Sequence, residues 1–225
     1  MSWNESNVSS LVHVVATDSP LQDQIERILM KRGVDVRLHS GVEMFLDFES
    51  EEVRESCLVL GVSKSDHRLP GFYEQLKALA GRIPTVLISD DREIRSAVEC
   101  LKAGATDYLV RPYGPEDVMA AVEAALAIDH ARRSKAIAAA KALESFEMLT
   151  SREKAVMGLV TTGLLNKQVA WSLGISEGTI KCHRAHVMSK MNVKTLPSLV
   201  RLADLIALQP DGRLSSETER SQVSL

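Results

Sequence analysis

Short apolar runs alternate with segments of helical period along the first half of the chain. The runs are rich in β-branched residues, and several are apolar enough to be buried on both faces of a sheet. They predict five strands, at residues 11–15, 34–38, 57–62, 85–88 and 108–110. The segments between them predict helices at residues 21–31, 42–48, 72–80, 92–103 and 116–128. This alternation predicts a doubly wound α/β fold whose five-stranded parallel sheet is covered on both sides.

The clearest helical pattern in this half lies in residues 92–103. Ile94, Ala97, Val98 and Leu101 form an apolar stripe of the kind that faces a core. In a doubly wound sheet the ligand site lies outside the carboxyl ends of the strands. The candidate site is therefore near Ala16, Thr17, Asp18, Gly61, Ser89 and Arg111.

A helical pattern continues almost without a break from residue 116 to about residue 145. The second part of this segment is rich in Ala, Lys and Arg and contains no Gly or Pro, so we predict one long linker helix. The helix is either a spacer or the seam of a dimer. The seam would be formed by Val122, Ala125, Ile137, Ala140 and Leu143.

The rest of the chain predicts a four-helix, all-α domain. The sequence TSRE at residues 150–153 is a capping box at the start of its first helix. The second helix covers residues 166–173, the third runs from the capping residue Ser176 to about residue 191, and the fourth covers residues 196–208. From residue 209 onward Pro, Gly, Ser and charge dominate, so we expect a disordered tail.

The third helix of this domain has two chemically different sides. At 100° per residue, Ile180, Val187 and Met191 share a buried stripe. The opposite side carries the small and polar groups Cys182, Ala185, His186 and Ser189, flanked by Thr179 and Lys181. Two helices joined by a tight turn have the outline of a helix-turn-helix, whose second helix enters the major groove of DNA. An ordinary solvated helix face is the alternative interpretation.

Composition places the chain among ordinary globular proteins, because 45% of its 225 residues are hydrophobic and 25% are charged. No apolar run reaches the ~18 to 20 residues that span a bilayer, and the start lacks the features of a signal peptide. We therefore expect a cytoplasmic protein that does not bind membranes. Cys57, Cys100 and Cys182 are far apart, so we expect neither a disulfide framework nor a metal site, and we expect no cofactor.

Charge is divided unevenly along the chain. Residues 1–128 carry 13 Lys and Arg against 21 Asp and Glu, a balance of -8. Residues 149–208 carry 8 basic against 3 acidic residues, a balance of +5. A basic segment on an acidic chain suggests that the carboxyl-terminal domain meets a polyanion, although a solvated surface is the simpler explanation.

The motifs LTSRE, GLLNKQVA, LGISEGTIKCHR and MNVKT, between residues 149 and 204, closely resemble the DNA-binding domain of LuxR/NarL/FixJ regulators. The resemblance implies a sequence-specific transcription regulator that binds double-stranded DNA. We expect a homodimer, because a single four-helix module reads few base pairs and two half-sites increase specificity. It places Thr179, Lys181, Cys182, Arg184 and His186 on or beside the recognition surface. Asn166 and Lys167 would approach the phosphate backbone.

The first half resembles the receiver domain of FixJ-type response regulators through VHVVATDSP, CLVLGV, IPTVLIS, LKAGATDYLV and RPY. In a working receiver, a strand-end Asp accepts a phosphoryl group and nearby acids hold Mg²⁺. The resemblance puts Gly61 at the acceptor position, and Ala16 and Thr17 at the acidic pair, with Asp18 beside them. Ser89 matches the switch hydroxyl and Arg111 replaces the expected Lys. Loop acids Asp66, Asp90 and Asp91 are interpreted as surface residues.

These features predict a degenerate receiver at residues 1–128, a helical linker at 129–148, a DNA-binding domain at 149–208 and a tail at 209–225. The chain would be a phosphorylation-independent transcription regulator and not an enzyme. The alternative is an adaptor or ligand-sensing receiver that captures a sensor kinase or another regulatory protein, with a ligand in the empty acidic pocket. Cys182 is a redox candidate, because the helix start and its basic neighbours favour a thiolate there.

Overall fold

The computed structural model describes residues 10–16, 19–49 and 54–207. Within the described part, one compact unit ends at Arg133 and a second begins at Ser134. The first unit contains β1 (Leu11–Val15), α1 (Ser19–Met30), β2 (Asp35–His39), α2 (Val42–Glu49), β3 (Ser56–Val62), α3 (Phe72–Arg82), β4 (Thr85–Ser89), α4 (Ile94–Lys102) and β5 (Asp107–Val110). A 3₁₀ turn, Asp66–Arg68, lies between β3 and α3. The helix α5 covers Pro115–Glu147, as one unbroken element.

All strands of this unit are parallel and follow the order β2-β1-β3-β4-β5. The predicted doubly wound five-stranded sheet is confirmed, and each strand begins and ends within one residue of its predicted bounds. The strands are predicted this well because apolar runs bounded by polar residues are a purely local signal.

Two apolar layers cover the sheet. One layer packs α1 and α5 against it, with Ile25 and Val122 fully buried. The other packs α2, α3 and α4, with Phe45 and Leu76 buried. Burial of one such side chain contributes about 1.5–3 kcal/mol to the free energy of folding. These layers therefore stabilise the sheet independently of the polar residues at its strand ends.

The apolar stripe of α4 does not face this core. Ile94 is 82% exposed, and Val98 and Leu101 are also exposed. The helix is instead attached through its opposite side, where Ser96 and Cys100 are buried. The prediction from periodicity was wrong here, because a helical stripe shows that a face is apolar without showing what covers it.

The dimer seam predicted along α5 is also wrong as a single face. Val122 and Ala125 are buried in the core of the first unit, and Leu143 packs in a core of the second. Ile137 is 70% exposed, and Ala140 is exposed as well. The sheet occupies the first part of the predicted stripe, so these five side chains do not form one surface available to a partner.

The second unit is helical. Its elements after α5 are α6 (Ser151–Thr161), α7 (Asn166–Leu173), α8 (Glu177–Lys190) and α9 (Leu196–Ala207). The capping box of α6 is confirmed: the Glu153 amide donates to Thr150 Oγ1 at 3.3 Å, and the Thr150 amide donates to Glu153 Oε2 at 2.9 Å. Gly174, with a φ of 65°, ends α7 in the left-handed conformation that glycine adopts most readily. The expected tail at 209–225 lies outside the described residues.

Among the described residues, no helix is both long enough and apolar enough to cross a membrane.

Candidate nucleic-acid interface and strand-end site

One side of the helix α8 is packed against the rest of the second unit, and the other side is exposed. Ser176 caps it by accepting a hydrogen bond from the Thr179 amide at 3.1 Å. Ile180 and Val187 are buried in the cores of the second unit. The exposed side carries Thr179, Lys181, Cys182, Ala185, His186 and Ser189. The predicted division of this helix into a packed and an outer side is therefore observed.

Two of the predicted DNA contacts are bound to each other. Arg184 is half-buried, and its Nη1 donates to Asn166 Oδ1 at 2.5 Å. This hydrogen bond connects α7 to α8 and orients the guanidinium at the junction of the two helices. Lys181 and Lys167 are exposed, although Lys181 Nζ lies 3.4 Å from the carboxylate of Glu177 one turn earlier. An exposed pair of this kind is weak and can be exchanged for a contact with phosphate.

A buried carboxylate, Glu153, connects α8 to α6, and the sequence did not predict this contact. Glu153 is only 4% exposed; its Oε2 accepts from Lys190 Nζ at 2.7 Å, and its Oε1 lies 3.7 Å from His186 Nδ1. The hydrogen bond from Lys190, with help from the Thr150 amide, lowers the pKa of Glu153 to about 2. The capping-box motif identifies Glu153, but its pairing with Lys190 needs the fold. Glu153 thus joins the start of α6 to the last turn of α8.

At the strand ends of the first unit, Gly61 lies in a closely packed place. A Cβ atom at this position would lie 2.6 Å from Leu21 Cδ2 and 2.8 Å from Ala16 Cβ. Leu21 and Ala16 are themselves buried. Apolar atoms of Leu21 and Ala16 therefore fill the space beside Gly61 that an acceptor side chain would need. Thr17 and Asp18 lie outside the described residues.

The remaining residues of this edge are held by hydrogen bonds. Ser89 is buried, and its Oγ accepts from the Asp91 amide at 3.1 Å. Arg111 is half-buried directly after β5, where its amide donates to the Ser89 carbonyl at 3.0 Å and its own carbonyl accepts from Arg92. These contacts hold the ends of β4 and β5 together.

Interpretation of Asp91 as a surface acid was wrong. It is 2% exposed and accepts hydrogen bonds from Ser96 Oγ at 2.6 Å and from the Glu93 amide at 3.1 Å. The bond from Ser96 is the main cause of its lowered pKa. Asp66 and Asp90 likewise accept from nearby backbone amides. All three carboxylates therefore have structural partners, in the loops that follow β3 and β4 and in the first turn of α4.

The 3₁₀ turn contributes a ring that sequence reasoning missed. His67 Nε2 lies 3.2 Å from the Tyr108 hydroxyl, and His67 Nδ1 lies 3.8 Å from Cys100 Sγ. Its ring also contacts Phe72 edge-on at 5.1 Å between centroids. Burial lowers the pKa of His67. A lone His in a loop gives no local signal of such contacts, since its partners come from α3, α4 and β5.

The three cysteines differ in their surroundings. Burial raises the pKa of the Cys57 thiol to about 12 and that of the Cys100 thiol to about 11, which disfavours the reactive thiolate. Cys182 is exposed on the outer side of α8. Within the described ranges, no group of three His, Cys, Asp or Glu side chains is arranged to hold a metal ion.

Comparison with known proteins covers nearly the whole chain. A family model described as bacterial regulatory proteins, luxR family, matches residues 147–203. Nodulation protein W of Bradyrhizobium diazoefficiens is 34% identical over 224 residues, 97% of this chain and 94% of that protein. The transcriptional regulatory protein FixJ of Rhizobium meliloti is 33% identical over 200 residues, 85% of this chain and 94% of that protein. The solved structure of the response regulator StyR is 32% identical, with a TM-score of 0.66, and the match covers 88% of this chain and 99% of that chain.

Proposed function

This chain belongs to the response regulators that carry a LuxR-type DNA-binding domain, and we propose that it regulates transcription without being phosphorylated. The position of the phosphoryl acceptor is occupied by Gly61. The family is one of DNA-binding transcription regulators. The observation that carries the proposal is the packing of Leu21 and Ala16 against Gly61, which leaves neither a carboxylate nor space for one. A phosphoryl group needs a nucleophile and a magnesium site, and the described strand-end positions 16 and 61 hold Ala and Gly.

Incubation of the full chain with acetyl phosphate and Mg²⁺ tests this proposal. We expect no stable phosphoryl adduct by intact-mass measurement and no change in DNA affinity. A single adduct that also alters DNA binding would show that another side chain has taken over the acceptor role. The variants Asp66→Asn, Asp90→Asn and Asp91→Asn would then identify it.

Residues 149–208 are the proposed DNA-binding domain, with the outer side of α8 in the major groove. Exposure of Thr179, Lys181, Cys182 and His186 on this side supports the assignment, as does the balance of +5 in this segment. Lys167 would contact a phosphate. Arg184 and Asn166, bound to each other, would act as one polar unit at the helix junction.

The proposed active form is a homodimer that uses the outer face of α4. Ile94, Val98 and Leu101 expose a row of large apolar side chains on one helix, and contiguous patches of this kind commonly mark protein interfaces. Two DNA-binding domains read two half-sites and so increase specificity. Sedimentation equilibrium of the full chain tests the proposal: Ile94→Asp should weaken the dimer, whereas Lys102→Asp, at the end of α4, should leave it largely intact. Equal masses for wild type and Ile94→Asp would contradict this interface.

The second candidate is an adaptor in which the α4 face captures a sensor kinase or another regulatory protein, and DNA binding is secondary. The same exposed apolar row favours it. Genome-wide mapping of bound DNA discriminates between the two candidates, because only a regulator gives reproducible sites whose occupancy falls with Lys181→Ala. Redox control through Cys182 is proposed as an additional input, since its thiol is exposed on the DNA-facing side.

A further inference from the structure

A cavity of about 670 Å³ lies on the face of the sheet that α2 and α3 cover. Cavities of roughly 300–1,000 Å³ are the usual size for sites that enclose small organic molecules. The ends of β1 and β3 form its floor, and α2 and α3 form its walls. Most of its lining is apolar and includes Leu46, Leu60, Val62, Phe72, Leu76 and Ala78.

The position of this cavity in the fold is one where ligands bind. The strand order β2-β1-β3-β4-β5 reverses between β1 and β3. In doubly wound sheets the connections diverge at such a point and leave a crevice outside the carboxyl ends of the two strands. Ala16, directly after β1, and Gly61, in β3, both line the cavity.

The cavity reaches Ala16 and Gly61, but it lies on the face of the sheet opposite to the one towards which a side chain at position 61 would point. A Cβ atom on Gly61 would point at Leu21, which belongs to the apolar layer under α1 and α5. The walls of the cavity come from the other layer, which includes Leu60 and Leu76. A side chain at position 61 would therefore point away from the walls that α2 and α3 form.

The lining determines which molecules fit. Among its polar side chains, Glu43 and Asp66 are acidic and Arg82 is basic, so an anion meets more acids than bases. The Asp66 carboxylate is already bound by the Ser63 amide at 2.7 Å. Gln75 and Ser40 supply neutral polar groups at the wall. We propose that this cavity binds an uncharged, largely apolar organic molecule of the size of a substituted naphthalene, as a regulatory ligand of the first unit.

Binding is tested directly with N-phenyl-1-naphthylamine, an uncharged aromatic dye whose emission rises in an apolar site. Titration into the full chain should give saturable, one-to-one binding. The anionic analogue 8-anilino-1-naphthalenesulfonate should bind at least about 10-fold more weakly, because the acids of the lining repel it. Equal or tighter binding of the anion would overturn the proposed ligand chemistry, and unsaturable binding of the neutral dye would overturn the site.

Variants that fill the cavity locate the dye. Ala78→Phe and Val62→Phe add bulk at two lining positions and should each raise the dissociation constant of the neutral dye about 10-fold or more. Lys77→Phe adds the same ring on the exposed side of α3, outside the lining, and should leave it unchanged. Ile94→Asp removes part of the exposed α4 patch and should also have no effect. Thermal melting by circular dichroism confirms that each variant is folded.

Two results would contradict the proposal: unchanged dye affinity in both filled variants, or loss of dye binding in Ile94→Asp alone. Hydrogen exchange provides a second measurement that needs no variant. The dye should slow amide exchange in α3 and in the turn before it, and slowing confined to α4 would place the dye elsewhere. Dye binding is measured without DNA or phosphoryl donor, so its outcome is independent of the proposed function.

Discussion

The edge of the sheet at Gly61 and the outer side of α8 are the two candidate sites of this chain, and their side chains differ in polarity and exposure. At Gly61 the positions that would carry chemistry hold Gly and Ala, and apolar side chains close around them. On α8 the polar groups are exposed. The last turn of this helix is attached to α6 by the ion pair of Lys190 with Glu153. The comparison shows that the two sites are independent, because the apolar cores beside them are separate: Ala16 and Leu21 belong to a core of the first unit, and Ile180 and Val187 belong to cores of the second.

Gly61→Asp tests the closed site and should have the largest effect. The new Cβ atom would lie 2.6 Å from Leu21 Cδ2 and 2.8 Å from Ala16 Cβ, so these side chains or the backbone would have to shift. Overpacking of this kind should lower the free energy of unfolding by about 3 kcal/mol. Urea titration followed by circular dichroism measures this. Gly81→Ala is the matched control, because a Cβ atom there meets nothing within 4 Å; a stable Gly61→Asp protein that accepts a phosphoryl group would refute the closed site.

Glu153→Gln tests the support behind α8. The charge-assisted bond with Lys190 should be lost, at a cost of about 2 kcal/mol in the free energy of unfolding at neutral pH. The folded-state pKa of about 2 is below the ordinary value of 4.5, so the ionised form stabilises the fold above pH 4.5, and this stabilisation is lost as the pH falls towards 2. Wild type and variant should therefore converge in acid. Glu177→Gln, in an exposed pair, should change stability by less than about 0.5 kcal/mol.

Lys181→Ala tests the open site. Loss of a contact to a base or phosphate should weaken binding to an operator by about 1.5 kcal/mol, which is roughly 10-fold in the dissociation constant. Fluorescence anisotropy with an operator found by genomic mapping measures the change. Arg201→Ala, which removes an exposed positive charge from α9, should have little effect. Equal losses in the two variants would mean that charge alone, not the position on α8, accounts for binding.

Arg184→Ala and Asn166→Ala test whether the two residues act as one unit. Each should weaken operator binding by about 1 kcal/mol, and the double variant should lose little more than either single one, because they share a hydrogen bond. A double-mutant cycle measured by anisotropy gives the coupling. Strictly additive losses would show that each side chain binds DNA separately.

Cys182→Ser tests the redox input and should have the smallest effect in the absence of oxidant. Oxidation of the exposed thiol adds a polar or bulky group to the surface that we propose enters the groove, so mild peroxide should weaken operator binding of wild type by a few fold. The serine variant should not respond. If peroxide changes operator binding of both proteins equally, Cys182 has no redox role and serves only as a small side chain on this surface.

The sequence identified some features through local signals and missed others that lack them. The capping box at Thr150 and the packed side of α8 follow from spacing within one helix, and both are observed. The burial of Asp91 was missed, because its partner Ser96 has a hydroxyl that is ordinary in any helix. His67 was missed for a different reason, since its contacts with Tyr108 and Cys100 join residues more than thirty positions apart.

By itself, the sequence determined the order of strands and helices, the division into an α/β half and a helical half, and the identity of the residues at each candidate site. Periodicity and capping act within a few residues, so these features can be found without the fold. Only the tertiary structure decided that the stripe of α4 faces outward, that Leu21 fills the space beside Gly61, and that Arg184 is bound to Asn166. Each of these three features depends on which other element of the chain packs next to the residue. Because protein interiors are closely packed, only one element can fill that space.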